Sequence, residues 1–261
     1  MDNPTVITIN GDEIKNNDII VHVKQTGKYK DSLQELLQER VLNQFAQKNK
    51  LSVTDDELQD YVNEKRNKLG LLTVESIDQY LAGFGITTDQ WVDGLEIELV
   101  REKVKDAVAT KERIQQYFNE NKGKYIEIFL FKIVVDNKDK CEEVLMEVRD
   151  DGDSFRTASE KYNSDEELIA KGGFYKKVKR GELDLKLENR IFTSREKAVI
   201  APIEESENKF ALYYVNRIVE PELTDDISKE IKETMFSLWL SQMVQSSHIE
   251  IPKKENETNN L

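Results

Sequence analysis

Residues 165–192, with the sequence DEELIAKGGFYKKVKRGELDLKLENRIF, decide the fold of the middle of this chain. The paired glycines Gly172-Gly173 predict a tight turn, because glycine adopts backbone conformations that other residues avoid. Asp165 precedes this turn, and residues 171–180 form the one dense basic run in the sequence. Residues 183–192 then predict a helix.

Apolar segments on both sides of this stretch predict β-strands. Residues 126–135 form a nearly continuous apolar run that is too short and too β-branched for a helix, which indicates a central strand. Residues 198–203 and 210–218 predict two further strands, and residues 141–148 and 155–162 predict helices. The alternation of strands and helices within fewer than a hundred residues predicts an α+β domain.

The flanks of this domain are helical. Residues 1–124 contain one short strand and then apolar residues at helical spacing, with a capping box at Thr54–Glu57. We predict a mostly helical N-terminal domain (1–124), an inserted α+β domain (125–220) and a C-terminal helix (221–252) that packs on the N-terminal domain. Residues 253–261 are polar and predict a disordered tail.

Composition excludes several classes of protein. The chain has 38 Lys and Arg against 51 Asp and Glu, so its net charge of −13 argues against nucleic acid as a partner. The single cysteine, Cys141, forms no intramolecular disulfide, and the two histidines, His22 and His248, are too few for a zinc site. We expect no metal and no membrane insertion. The start of the sequence has no signal-peptide pattern, so we expect a cytoplasmic location.

The middle domain resembles the parvulin family of peptidyl-prolyl cis-trans isomerases, also called PpiC-type rotamases. The resemblance rests on Asp165, the Gly172-Gly173 pair, the turn Arg180–Leu183 and the helix that ends at Phe192, at the family's spacing. It covers roughly Tyr125 to Glu220. The helical flanks resemble the peptide-binding chaperone region of the SurA and PrsA type, which brackets a parvulin domain in the same way.

The reaction itself explains what such a site needs. Rotation about a peptide bond faces a resonance barrier of about 18–20 kcal/mol, and no covalent bond is broken. We therefore expect no cofactor. An isomerase needs an apolar cup for the proline ring and surroundings that favour the twisted imide, and each tenfold of rate takes about 1.4 kcal/mol off the barrier.

The resemblance implies a set of site residues. Tyr175, Leu183, Leu187 and Phe210 correspond to substrate-binding positions, and Asp165 to the position that faces the susceptible carbonyl. The family's two histidines correspond to Lys132 and Tyr213, after a short insertion at residues 204–208. With Asp165, these two are the predicted catalytic residues.

Each of these residues also has a structural explanation. Asp165 is equally suited to capping a short helix, and Lys132 to reaching water from its strand. The basic run either attracts acidic client peptides or protects a strand edge from unwanted pairing.

The sequence predicts a foldase chaperone that binds unfolded or precursor polypeptides. Because the histidines are absent, we expect its catalysis of X-Pro isomerisation to be weak. The alternative is a non-catalytic adaptor that uses the parvulin fold to dock one dedicated partner, such as a component of secretion or peptide maturation.

Overall fold

The computed structural model describes residues 3–148 and 152–250, which form two compact units. The first unit contains the chain up to Ile114 and from Asp226 onward, and the second contains Gln115–Asp225. The division falls inside a helix and at the start of the last helix, whereas the predicted boundaries lay after residues 124 and 220. The predicted disordered tail, residues 253–261, lies outside the described residues.

The chain begins with a β-hairpin and continues as helices. The elements are β1 (Thr5–Ile9), β2 (Asp12–Lys15), α1 (Asn16–Gln25), α2 (Lys28–Lys48), α3 (Asp55–Leu69), α4 (Val74–Phe84), α5 (Thr88–Val108) and α6 (Lys111–Glu120). Thr54 caps α3 in the predicted capping box, in which its backbone N–H donates to Glu57 at 2.8 Å. Gly70 ends α3 with φ +71°, a left-handed conformation that suits glycine.

The middle of the chain forms an α+β unit. Its elements are β3 (Glu127–Val135), α7 (Lys138–Val148), α8 (Gly152–Tyr162), α9 (Glu166–Ala170), β4 (Phe174–Val178), α10 (Leu185–Phe192), β5 (Val199–Ser206) and β6 (Lys209–Val219). The strands form one antiparallel sheet in the order β4-β3-β6-β5, so β3 is the central strand that the apolar run predicts.

The last helix, α11 (Asp225–Ser246), packs on the N-terminal helices. Its Phe236 and Leu240 share one buried cluster with residues of α2 and α5. Trp239 stacks edge-on against Phe45 of α2, with ring centroids 4.7 Å apart. The chain therefore starts and ends in the same unit, as the amphipathic pattern of this helix predicts. None of the helices described is long and apolar enough to span a membrane.

Candidate active site

Strand alternation divides the side chains of the α+β unit between two faces of its sheet. On β3 the side chains of Ile128, Leu130 and Val134 join the cluster that α10 covers, and Lys132 shares their parity. On β6, Ala211, Tyr213 and Val215 face the same way. The opposite face carries a second cluster that α7 and α8 cover. Lys132 and Tyr213 therefore lie on the face that carries α10.

A cleft of about 880 Å³ opens on this face, between the sheet and α10. Five of the predicted site residues line it, together with parts of β5 and of the segment before α10. The lining consists of Lys132, Tyr175, Lys176, Glu182, Leu183, Asp184, Lys186, Leu187, Arg190, Pro202, Ile203, Glu204, Glu205 and Tyr213. A proline ring is small compared with this volume, so the cleft has room for a peptide segment.

One wall of the cleft is apolar. Leu187 is buried, and Tyr175 and Leu183 pack half-buried against the same cluster. Asp184 fixes the start of α10, because its Oδ1 accepts hydrogen bonds from the backbone N–H groups of Lys186 and Leu187, each at 3.1 Å. This cap sets the direction in which Leu187 enters the cleft.

The floor of the cleft is polar. Lys132 Nζ lies 2.6 Å from Oε2 of Glu205, and the side chain of Lys132 is 12% exposed. The Tyr213 hydroxyl donates to the other oxygen of the same carboxylate. The alternative in which Lys132 extends to water is therefore wrong, because a carboxylate and two aromatic rings hold its ammonium inside. Those rings belong to Tyr175 and Tyr213, with centroids 4.9 and 5.5 Å from Nζ.

The environment of Tyr213 keeps its phenol protonated. Burial raises the pKa of Tyr213 well above its ordinary value of 10.0, and the hydrogen bond to Glu205 raises it further. The hydroxyl is therefore a neutral donor at physiological pH.

The structure places two of the predicted site residues elsewhere. Asp165 is the N-cap of α9, where its Oδ1 accepts from Glu167 N at 2.9 Å and from Leu168 N at 3.1 Å. Phe210 packs against the cluster under α7 and α8. Strand alternation explains the position of Phe210. It lies three residues before Tyr213 on β6, so its side chain points to the opposite face of the sheet.

Two residues near the cleft were missed by sequence reasoning. Glu205 lies in the segment interpreted as an insertion, and the sequence signal that marks it is its alternation with Ile203 on β5. Asn163 is buried, and both the oxygen and the nitrogen of its side-chain amide form hydrogen bonds. Its Oδ1 accepts from Val134 N at 3.0 Å, and its Nδ2 donates to the carbonyl of Lys132 at 3.1 Å. Asn163 therefore fixes the backbone of β3 where Lys132 enters the cleft.

The basic run belongs to the edge strand β4 and its neighbours. Most of its charged side chains form ion pairs. The distance from the lysine Nζ to the carboxylate oxygen is 2.5 Å for Lys171 and Glu167, 2.9 Å for Lys177 and Glu127, and 3.6 Å for Lys179 and Glu127. Because β4 is an outer strand of the sheet, this arrangement favours protection of the edge over attraction of acidic peptides.

The family comparison identifies the class of the middle unit. Residues 134–217 match the PPIC-type PPIase domain, or rotamase, family. This match includes the Gly172-Gly173 turn, the residues of the apolar wall, Glu205 and Tyr213. The unit is therefore a parvulin-type domain.

The whole chain is similar to bacterial foldases. The foldase protein PrsA of Halalkalibacterium halodurans is 25% identical over 238 residues, which cover 88% of this chain and 69% of that protein. The foldase protein PrsA of Streptococcus sanguinis is 23% identical over 241 residues, covering 91% of this chain and 70% of that protein.

A solved structure shares the fold. The crystal structure of the peptidylprolyl isomerase PrsA from Bacillus cereus has a TM-score of 0.54 at 19% identity, covering 96% of this chain and 95% of that one. Together these similarities confirm the prediction of a parvulin-type foldase chaperone in which helical flanks bracket an α+β domain.

Proposed function

We propose that the parvulin-type domain binds X-Pro segments of unfolded polypeptides in its cleft and accelerates their cis-trans isomerisation. The observation that carries this proposal is the convergence of Tyr175, Leu183, Leu187 and Tyr213 on one cleft of about 880 Å³. An apolar wall favours the proline ring over water, and it excludes water from the imide bond.

The polar floor supports catalysis by a donor and not by a nucleophile. No bond is broken in the reaction, so a site that grips proline and presents a proton donor is sufficient. The resemblance implies that Lys132 and Tyr213 take the places of the family's two histidines, and on that ground we expect slow catalysis.

A protease-coupled assay on a proline tetrapeptide tests this function with a matched pair of variants. Leu183→Ala removes part of the apolar wall, so kcat/KM should fall at least about tenfold. Leu185→Ala is the control, because Leu185 belongs to the same segment but its residue surface is 74% exposed. The control should keep the activity of the unmodified chain.

The adaptor is the alternative outcome of the same assay. A chain that isomerises the tetrapeptide no faster than buffer would contradict the enzymatic proposal. An adaptor would in addition bind one partner and fail to suppress the aggregation of unrelated denatured proteins, whereas a foldase chaperone should suppress it.

The location and the dedicated partner stay predictions. A cytoplasmic location is tested by cell fractionation with antibody detection, and recovery of the chain outside the cytoplasm would contradict it. A partner in secretion or peptide maturation is tested by crosslinking in cells followed by mass spectrometry, with the Leu183→Ala chain as the control for binding through the cleft.

A further inference from the structure

Glu205 lies at a β-bulge in the pairing of β5 with β6. In the pairing of β5 with β6, Glu204 is opposite Phe210 and Ser206 is opposite Lys209, so Glu205 is an extra residue without a register partner. Bulges of this kind redirect side chains and occur next to active sites. Glu205 shares the parity of Ile203, which packs on the α10 face. Its carboxylate reaches residues of both β3 and β6, and its side chain is 28% exposed.

Both oxygens of this carboxylate are used at the floor of the cleft. Oε2 pairs with Lys132 Nζ at 2.6 Å, and Oε1 accepts the hydroxyl of Tyr213. An ammonium carries three N–H bonds, and the ion pair with Glu205 leaves Lys132 with donor capacity for a ligand. The rings of Tyr175 and Tyr213 limit where that ammonium can move.

The direction of a donor decides whether it helps or hinders rotation about an imide. In the planar imide the nitrogen lone pair is delocalised into the carbonyl, so a cation at the carbonyl oxygen stabilises the planar form. In the twisted imide the lone pair is localised on nitrogen and accepts a hydrogen bond. A donor held at the nitrogen therefore stabilises the twisted state more than the planar state, which is the requirement for catalysis.

We infer that Glu205 is a positioning residue that holds the Lys132 ammonium so that it donates to the imide nitrogen of a bound X-Pro peptide as the bond twists. This inference rests on the proposed isomerase function. Without the carboxylate, the ammonium is an unpaired charge beside an apolar wall, and it moves towards water. The donor is then absent from the place where the twisted imide needs it.

Exchange spectroscopy by NMR on an Ala-Pro peptide tests the inference, because it measures peptide affinity and the catalysed rate separately. In the full chain, Glu205→Gln should lower the rate at saturating peptide about tenfold or more, as expected for loss of a positioned donor. The Kd should change less than about twofold, because the apolar wall that grips the ring remains intact. Glu207→Gln, in the adjacent β5–β6 turn, is the control and should leave both quantities unchanged.

A double variant separates positioning from a purely structural role. Lys132→Met combined with Glu205→Met removes both charges together, and such replacements of ion pairs by apolar residues are often neutral or stabilising. This chain should fold and bind the peptide, yet isomerise it as slowly as Glu205→Gln. The unmodified rate in either Glu205→Gln or the folded double variant would overturn the inference. An unmodified chain without catalysis would overturn the proposed function as well, so the two failures are distinguishable.

Discussion

Lys132 and Tyr213 are direct register partners on neighbouring strands, and both side chains end on the carboxylate of Glu205. Partners of this kind place their Cβ atoms within about 5.5 Å of each other on one face of a sheet. The floor of the cleft is therefore fixed by three strands, which makes it a rigid base for the apolar wall on α10.

Tyr213 and Tyr214 are adjacent and equally buried, but they differ in whether the hydroxyl forms a hydrogen bond. The Tyr214 hydroxyl has no hydrogen-bond partner among the described residues, whereas the Tyr213 hydroxyl donates to Glu205. Tyr214→Phe removes an unsatisfied group and should leave stability unchanged or raise it. Tyr213→Phe leaves a carboxylate oxygen without its donor and should cost about 1–3 kcal/mol.

Labelling of Cys141 measures both effects. This thiol belongs to the buried face of α7, and burial raises its pKa to about 11, so it reacts only when the domain opens. The labelling rate should rise in Tyr213→Phe and stay level or fall in Tyr214→Phe. Equal rates in the two variants would contradict the assignment of the hydroxyls.

Gly173 and Gly181 test the close packing of the paired-glycine turn. Both have positive φ, +83° and +87°, so an alanine is strained at either position by about 1–2 kcal/mol. A Cβ at Gly173 would also lie 3.0 Å from both Cβ and Oγ of Ser159, whereas a Cβ at Gly181 would meet nothing within 4 Å. Gly173→Ala should therefore lower the free energy of unfolding by about 1–3 kcal/mol more than Gly181→Ala does. The rate of Cys141 labelling measures the stability of both variants. A larger loss of stability in Gly181→Ala would contradict the close approach of Gly173 to α8.

Glu57 gives the helical unit a predictable dependence on pH. Its hydrogen bond with Lys103 and the backbone N–H of Thr54 lower its pKa from 4.5 to about 2. Because the folded pKa is depressed, the stabilisation is complete above about pH 4.5 and is lost as the pH falls towards 2. Glu57→Gln should be less stable than the unmodified chain near neutral pH, and the difference should disappear over that range.

Urea unfolding followed by tryptophan fluorescence measures this dependence, since Trp91 and Trp239 both belong to the helical unit. Asp60→Asn, at an exposed position of α3, is the control. A stability difference between Glu57→Gln and the unmodified chain that persists at pH 2 would rule out this carboxylate as its source.

The N-terminal hairpin carries exposed apolar side chains, and we predict that they contact unfolded polypeptides. Ile7 and Ile9 share one face of β1 and each is 59% exposed. Replacing both by serine should raise the concentration needed to suppress aggregation of a denatured protein at least about tenfold, since burial of even one isoleucine contributes about 1.5–3 kcal/mol and about 1.4 kcal/mol is a factor of ten. Met146→Ser, an exposed apolar position of the parvulin-type domain, is the control. Equal losses in both variants would argue against a client surface on the hairpin.

The sequence predicted those parts of the site that follow from local pattern. The paired glycines form a turn, and residues 126–135 contain the central strand β3, as their patterns predict. The role of Asp165 was ambiguous, because a carboxylate accepts hydrogen bonds equally well at the start of a helix and in a peptide-binding site. Alternation along β6 is enough to place the side chains of Phe210 and Tyr213 on opposite faces of the sheet. Glu205 was missed because residues 204–208 were interpreted as an insertion, although alternation with Ile203 places both side chains on one face of β5.

Chemical-shift mapping with a proline peptide tests the central claim, that the cleft between the sheet and α10 grips a proline ring. The comparison peptide has alanine in place of that proline and is otherwise identical. The account predicts shifts at Tyr175, Leu183 and Leu187 with the proline peptide and much weaker ones with the alanine peptide. Shifts confined to the helical unit, or the same cleft shifts with both peptides, would contradict it.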